Sequence, residues 1–280
     1  MPDADPVTGP VALHGEGPVW WPAWGGLRWV DMLDGDVLSL DGDGVRRLHV
    51  GAVAAAIRPR RQGGMVLGVE RGFALADDAG TLRRLPELWA DETVRMNEGG
   101  CDPDGRFYCG SMAYDAAIDR GALYRLDTDG RVDVVLTGVT ISNGLAWSPD
   151  GSVAYYVDTP TRAVDVFSYD AERGLHDRRR FVAIPETAGQ PDGLTVDAAG
   201  GIWVAMYGGG AVLHFGPDAT LETRVELPAR DVTACTFGGP DLDRLYVTTS
   251  RQDGDPSPLA GSVFRVDIGV RGLPAATFAG

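Results

Sequence analysis

Residues 142–170 read SNGLAWSPDGSVAYYVDTPTRAVDVFSYD, and this stretch contains the first three predicted strands of one repeat unit. It opens with the polar pair Asn143-Gly144 and a short apolar run that ends at Trp147. A Ser-Pro-Asp-Gly turn leads into one β-type run, and a further β-type run ends at Asp170. Runs rich in β-branched and aromatic residues, separated by such turns, predict short strands rather than helices.

Similar units recur along the whole chain. Their opening strands start near residues 16, 55, 97, 143, 192 and 234, so successive units lie 39, 42, 46, 49 and 42 residues apart. A repeat of about 40–50 residues is typical of the four-stranded blades of β-propellers. We therefore predict an all-β fold, a six-bladed β-propeller formed by residues 1–280 as a single domain, in preference to a β-sandwich or two smaller domains.

The composition limits the partners and the compartment. The chain carries 25 basic and 40 acidic residues, which gives a formal net charge of −15. Nucleic acids and anionic membranes attract positively charged surfaces, so we expect neither as a partner. There is no apolar run long enough to span a membrane and no secretory signal, which predicts a cytoplasmic protein. A propeller buries its core without help, so we expect a monomer or a weak homodimer.

The three cysteines, Cys101, Cys109 and Cys235, show no C-x-x-C spacing. Their odd number argues against a disulfide framework, and their spacing argues against a zinc site. We expect reduced cysteines packed in the core.

Four of the predicted opening strands begin with a polar residue: Glu16, Asn97, Asn143 and Asp192. In a propeller the innermost strands surround a central channel, so equivalent positions in different blades face one another. Carboxylate and amide oxygens select hard divalent cations such as Ca²⁺, Mg²⁺ or Mn²⁺, with Zn²⁺ less favoured. We predict that Glu16, Asn143 and Asp192 hold one divalent cation at the mouth of the channel and leave positions open for water and substrate.

Each of these residues also has a plain structural interpretation. Asn-Gly and Asp-Gly pairs are common turn signals, and Glu16 could be a solvated loop carboxylate. His14 precedes Glu16 by two residues and is a weaker candidate for the site, as are Tyr114 and Trp20 for its rim. No G-x-S-x-G or G-x-x-x-x-G-K-[ST] pattern is present, which disfavours a serine hydrolase of that type and a P-loop nucleotide site.

Several segments together resemble the regucalcin/senescence-marker-protein/gluconolactonase family of sugar lactone lactonases. The resemblance covers nearly the whole chain in order. The matching segments are Gly15-Glu16-Gly17-Pro18-Val19-Trp20, Arg95-x-Asn97, Asp102-Pro103-x-Gly105-Arg106, Gly110-Ser111-Met112, Ile141-Ser142-Asn143-Gly144-Leu145, Pro191-Asp192-Gly193, Cys235-x-Phe237-Gly238-Gly239 and Ala260-Gly261-Ser262-Val263-Phe264.

The resemblance implies a six-bladed propeller with one divalent cation at the positions of Glu16, Asn143 and Asp192. It further implies that Arg95 and Asn97 contact the oxygens of a sugar lactone. The reaction that it implies is hydrolysis of an aldonolactone, such as glucono-1,5-lactone, to the aldonic acid. The same family includes organophosphate-hydrolysing relatives and proteins described as calcium-binding.

The chain departs from the family pattern at two positions near the expected substrate. Glu98 stands where the family commonly has aspartate, and Asp115 falls where some members have a glutamate that reaches toward the sugar. We predict that both bind substrate, which leaves the identity of the sugar open. The changes do not touch the predicted cation ligands.

We therefore predict a metal-dependent lactonase. A cation would polarise the lactone carbonyl, and Asp192 would activate water as the catalytic base. Alternatively, hydroxide on the cation would attack while Asp192 only orients it. A non-catalytic calcium-binding or regulatory propeller and an organophosphate hydrolase remain open as other functions.

Overall fold

The computed structural model describes residues 4–42 and 44–280. Within them the strands, in chain order, are β1 (Ala4–Pro6), β2 (Gly15–Trp21), β3 (Gly26–Asp31), β4 (Asp36–Asp41), β5 (Gly44–His49), β6 (Ala54–Pro59), β7 (Met65–Val69), β8 (Gly72–Ala76), β9 (Leu82–Arg84), β10 (Val94–Cys101), β11 (Phe107–Ala113), β12 (Gly121–Leu126), β13 (Val132–Val139), β14 (Ser142–Trp147), β15 (Val153–Asp158), β16 (Ala163–Asp170), β17 (Gly174–Ala183), β18 (Gln190–Val196), β19 (Ile202–Tyr207), β20 (Ala211–Phe215), β21 (Leu221–Glu226), β22 (Val232–Gly238), β23 (Arg244–Thr249) and β24 (Val263–Asp267).

These strands form six four-stranded antiparallel sheets, the blades of a propeller. Blade 1 contains β2–β5, blade 2 β6–β9, blade 3 β10–β13, blade 4 β14–β17, blade 5 β18–β21, and blade 6 β22–β24 together with β1. The helical segments of the described residues are short 3₁₀ turns at Pro22–Trp24, Thr159–Thr161 and Glu186–Ala188. None of them is long and apolar enough to cross a lipid bilayer. The predicted six-bladed β-propeller is confirmed.

The first strand of each blade lies on the central channel. These inner strands are β2, β6, β10, β14, β18 and β22, and each contacts the inner strand of the next blade around the ring. The ring closes where β22 meets β2, and β1 pairs with β24 as the outer strand of blade 6. This use of the first described strand was not predicted from the sequence, because three residues carry too little pattern to identify a strand.

Every inner strand contains a β-bulge near its start. In blade 4 the pairing with β15 is interrupted between Ser142 and Leu145, so Asn143 and Gly144 form the bulge. Asn97 in blade 3 and Asp192 in blade 5 occupy the matching position. A bulge bends the strand and re-aims side chains, which is why these polar residues leave the regular alternation of the strand.

Blade 1 differs from this register by one residue. Its interruption lies between Glu16 and Val19, so Gly17 and Pro18 form the bulge and Glu16 precedes it. The expectation that Glu16 shares the strand position of Asn97, Asn143 and Asp192 is therefore wrong by one residue. Gly17 has φ +50°, a left-handed conformation that redirects the chain directly after Glu16.

The glycines beside the polar residues serve close packing rather than turns. A Cβ on Gly144 would lie 2.9 Å from the backbone oxygen of Asp192, and a Cβ on Gly193 would lie 2.5 Å from the Cβ of Ala234. Inner strands of neighbouring blades approach each other closely here. The alternative that Asn143-Gly144 and Asp192-Gly193 are simple turns is excluded, because both pairs lie inside strands.

The inner strands begin at one end of the channel, and the segment after β24 crosses the other end. Gly272 pairs with Asp197 of blade 5, and Phe278 pairs with Arg60 of blade 2. Phe278 is buried, and the backbone oxygen of Gly280 accepts a hydrogen bond from Arg60 Nε at 3.0 Å. This segment covers the lower mouth of the channel, whereas the inner strands begin at the upper mouth.

Candidate functional site

The upper mouth collects the four polar side chains that open the inner strands. Glu16, Asn97, Asn143 and Asp192 are between 2 and 6 % exposed. They come from blades 1, 3, 4 and 5, while the equivalent bulges of blades 2 and 6 carry Ala55 and Thr233. The polar set is therefore asymmetric around the channel.

A chain of hydrogen bonds fixes the two amides of the site. Arg95 Nη1 donates to Asn97 Oδ1 at 2.6 Å, and Asn97 Nδ2 donates to Asn143 Oδ1 at 2.8 Å. Asn143 Nδ2 then donates to Thr159 Oγ1 at 2.7 Å, and the Thr159 hydroxyl donates to the backbone oxygen of Pro191 at 2.8 Å. Arginine can only donate and a carbonyl can only accept. The two ends of this series of hydrogen bonds therefore set the orientation of both amides.

Arg95 lies in the inner strand β10, two residues before Asn97. It is 7 % exposed, and its guanidinium also lies 3.1 Å from Met32 Sδ and 5.7 Å from the ring centre of Tyr114. The Tyr114 hydroxyl donates to Glu70 Oε1 at 2.8 Å. Tyr114 is 46 % exposed, so its ring forms part of the rim and covers one face of Arg95.

The two carboxylates of the site destabilise each other's charged form. Burial raises the pKa of Glu16 well above its usual range, and the nearby Glu98 raises it further. Burial likewise raises the pKa of Asp192, with Glu16 and then Glu98 as further causes. Arg95 opposes both shifts without cancelling them. Arg95 alone therefore does not compensate the two buried carboxylates.

The donor set of Glu16, Asn143 and Asp192, which we call the ligand triad, fits a hard divalent cation. A cation would neutralise the two buried carboxylates, and Asn143 Oδ1 accepts one hydrogen bond and retains a second lone pair. Within the described residues, no group of three or more His, Cys, Asp or Glu side chains is arranged to hold a metal ion. The triad contains only two such residues, since its third member is an amide.

Glu98 lies below the triad rather than at the rim. It is 5 % exposed and lines a cavity in the lower half of the channel. Its Oε2 is buried without a hydrogen-bond partner, and burial raises its pKa to about 7 against the opposing effect of Arg58. Its charge acts on Glu16 and Asp192 from beneath.

Asp115 is not brought into the hydrogen-bond network of the site. It is exposed, and its Oδ1 accepts a hydrogen bond from the backbone nitrogen of Ala117 at 3.1 Å. Trp20 also lies elsewhere. It occupies the lower part of β2, and its ring stacks on that of Tyr246 with 5.5 Å between the ring centres. The suggestion that Trp20 forms the upper rim is therefore wrong.

His14 lies at the upper mouth, half-buried, with Nδ1 2.9 Å from Ser250 Oγ. Burial lowers its pKa to about 3, and the positive charge of Arg95 lowers it in the same direction. The ring is therefore neutral near pH 7. It adds no positive charge to compensate the carboxylates.

Sequence reasoning missed Thr159, which orients Asn143 from a 3₁₀ turn between β15 and β16. It also missed Asp158 and Asp31, whose carboxylates accept backbone N–H groups at 140–141 and 13–14, directly before two inner strands. Asp31 and Asp158 share one sequence signal, because each is the last residue of the second strand of its blade. Thr159 has no comparable signal.

The fold and this site define a class: β-propellers that carry a buried, acidic and amide-bearing polar cluster at one mouth of the channel. The pattern of the SMP-30/Gluconolactonase/LRE-like region matches residues 14–251, so the chain belongs to that family. The match extends from the residue before β2 to blade 6 and includes every member of the triad.

Individual relatives match over almost their whole length. The pentonolactonase XacC of Haloferax volcanii is 41 % identical over 272 residues, which cover 93 % of this chain and 92 % of the relative. The regucalcin of Oryctolagus cuniculus is 36 % identical and covers 95 % of both chains. The crystal structure of a calcium-binding regucalcin from Agrobacterium tumefaciens superposes with a TM-score of 0.92 at 29 % identity and covers 99 % of this chain and 97 % of that one.

Proposed function

We propose that this protein is a divalent-metal-dependent hydrolase of a sugar lactone and opens an aldonolactone to the aldonic acid. One observation carries the proposal. Two mutually repelling buried carboxylates and an oriented amide lie beside Arg95 and Asn97, in a chain whose family includes a pentonolactonase and a putative sugar lactone lactonase, YvrE of Bacillus subtilis.

Glu16, Asn143 and Asp192 would hold one cation, Ca²⁺, Mn²⁺, Mg²⁺ or Zn²⁺. When bound, this cation would act as a Lewis acid toward the lactone carbonyl. The positive charge of the cation would also offset the buried negative charge of the two carboxylates.

Asp192 acts as the base in this proposal. Its carboxylate takes a proton from water as the water oxygen bonds to the carbonyl carbon. The ring C–O bond then breaks, and the proton passes to the departing ring oxygen. The product is a hydroxy acid, which releases its carboxylic proton to solvent near neutral pH.

Arg95 and Asn97 position the substrate. Among the described residues Arg95 donates hydrogen bonds only through Nη1, so the donors of Nη2 are available for ring or hydroxyl oxygens. The stacked Tyr114 ring limits the directions that the guanidinium can take. A planar, oriented donor group is suited to recognising a polyhydroxylated ring.

The test is proton release from a panel of five- and six-carbon aldonolactones after chelation, with Ca²⁺, Mn²⁺, Mg²⁺ or Zn²⁺ added back. We expect saturable, cation-dependent release with at least one lactone, and a loss of roughly 10²–10⁴-fold in kcat for Asp192→Asn. Asp150→Asn, in an exposed turn at the lower face, is the control and should keep full activity.

Two outcomes would contradict the proposal. If no lactone is hydrolysed with any cation while Ca²⁺ still binds, the protein is a non-catalytic calcium-binding propeller. Turnover of a fluorophosphate but of no lactone would instead identify an organophosphate hydrolase.

A further inference from the structure

A cavity of about 300 Å³ occupies the lower half of the channel. Glu98 and the bulge residues Gly17 and Pro18 form its upper end, and the C-terminal segment 273–276 borders it from below. No member of the ligand triad lines it. It is therefore a second compartment, distinct from the polar site at the upper mouth.

The cavity contains a guanidinium group without a counter-ion. Arg58 lies in the lower part of β6 and lines the cavity, and its Nη1 donates to the backbone oxygen of Ile57 at 2.6 Å. Within the described residues its guanidinium makes no ion pair and donates no other hydrogen bond. Burial lowers the pKa of Arg58, which reflects the cost of holding this charge away from bulk water.

In the part of the chain that the structure describes, the other ionisable groups of the cavity form no ion pair with Arg58, although the charge of Glu98 favours the protonated guanidinium. Two carboxyls, Glu98 and Asp150, line the same space, and within the described residues neither forms an ion pair with Arg58. Glu98 has a pKa of about 7 and is partly protonated at neutral pH, whereas Asp150 lies in the exposed turn at the opening, where the Ser148 and Ser152 hydroxyls donate to its carboxylate. Burial raises the pKa values of the Cys101 and Cys235 thiols, so both stay neutral. The cavity therefore presents positive charge together with a carboxyl that can donate a hydrogen bond.

The remaining wall combines apolar side chains with backbone groups and the hydroxyl-bearing residues Ser148, Thr195 and Thr236. Leu145, Trp147, Leu194 and Phe237 surround the space, and the Trp147 Nε1 is buried without a hydrogen-bond partner. A ligand that satisfies such a wall carries one anionic end and an apolar body. A guanidinium fork matches the two oxygens of a carboxylate in a bidentate arrangement.

We propose that this lower cavity is a binding site for a small monocarboxylate with an apolar body, whose carboxylate pairs with Arg58 and whose body packs against Trp147 and Phe237. The site opens at the lower face, where Pro103 and the turn 148–151 border the cavity. The inference does not depend on the lactonase proposal, because it uses other residues and another compartment.

Calorimetric titration of the full chain with benzoate, butyrate, acetate, gluconate and inorganic phosphate tests this site. We expect benzoate or butyrate to bind at least tenfold more tightly than acetate, gluconate or phosphate. Arg58→Gln should weaken that binding at least tenfold, and Arg61→Gln, an exposed arginine of the same face, should leave it unchanged.

A second variant keeps the test decisive if Arg58→Gln does not fold. Thr195 lines the cavity, and Thr195→Met fills part of it without altering the charge, so it should abolish benzoate binding. The proposal is overturned if no carboxylate binds saturably, if phosphate or acetate binds as tightly as benzoate, or if neither variant changes the affinity.

Discussion

At the scale of single residues, the orientation of Asn143 depends on groups far from it in sequence. Asn97, 46 residues away, occupies one lone pair of its oxygen, and Thr159 holds its NH₂ group. The amide oxygen of Asn143 therefore faces Asn97, and its amide nitrogen faces Thr159. Because both amides are fixed from the ends of one series of hydrogen bonds, losing a link in the middle would free Asn143, a proposed cation ligand.

We expect Thr159→Val to weaken cation binding and to lower kcat/KM roughly tenfold, because Asn143 loses the acceptor of its NH₂ group and gains freedom to flip. A net hydrogen bond contributes about 1 kcal/mol, close to that factor. The measurement is cation affinity by calorimetry together with lactone kinetics. Thr159→Ser restores the hydroxyl and should behave as wild type, so equal losses in both variants would show that the hydroxyl is not the cause.

The prediction that Asp115 binds substrate needs its own test, because among the described residues its carboxylate accepts a hydrogen bond only from the backbone nitrogen of Ala117. If it does bind, Asp115→Ala should raise KM roughly tenfold with little change in kcat, since a hydrogen bond to a charged group contributes about 1.5 kcal/mol or more. Asp119→Ala, on the same exposed segment, is the matched control. Identical KM values for wild type and Asp115→Ala would remove Asp115 from the substrate site.

At the scale of elements, the inner strands approach closely just where the polar side chains stand. Gly193 allows β18 to pack against β22, with no room for a methyl group beside Ala234. The bulge aims Asp192 into the channel, and the glycine that follows lets the neighbouring blade close. The site and the closure of the ring therefore depend on the same dipeptide.

Gly193→Ala should reduce the free energy of unfolding by about 1–3 kcal/mol through overpacking, and should weaken cation binding as β18 shifts. Gly9→Ala is the control, because a Cβ there meets nothing within 4 Å. Urea denaturation measures both changes. If Gly193→Ala were as stable as Gly9→Ala, the inner strands would have more freedom than the structure indicates.

At the scale of the whole molecule, the buried carboxyls link stability to pH. Glu16, Glu98 and Asp192 have raised folded-state pKa values, so their contribution to stability is fully present below their unfolded-state pKa values. That contribution is lost as pH rises through the folded-state values, which is about 7 for Glu98. The cation-free protein should therefore be less stable at pH 8 than at pH 5.5.

A bound cation should reverse this loss, because it favours the charged carboxylates. We expect saturating Ca²⁺ to raise the melting temperature by more at pH 8 than at pH 5.5, as measured by scanning calorimetry with chelator and with added ion. Asp192→Asn should reduce the difference between the two pH values. The same increase at both pH values would separate cation binding from these carboxyls.

The sequence alone determined the six-bladed fold, because turn signals and strand runs repeat at blade length, and both are local properties. It also identified Glu16, Asn97, Asn143 and Asp192, since a polar residue that repeatedly opens an apolar strand is visible without any contact. Family resemblance added the roles that these residues hold in the proposal. Each of these inferences needed only neighbouring residues and their spacing.

Only the tertiary structure showed that Glu16 lies one residue away from the strand position of the other polar residues, and that Trp20 lies away from the upper rim. It also placed Glu98 below the triad. It alone revealed Thr159 as the residue that orients Asn143, and Arg58 as an unpaired charge in a second cavity. The physical reason is the same in each case. These properties arise where different blades meet around the channel, and a side chain's partner there is set by the closure of the ring, not by its neighbours in the chain.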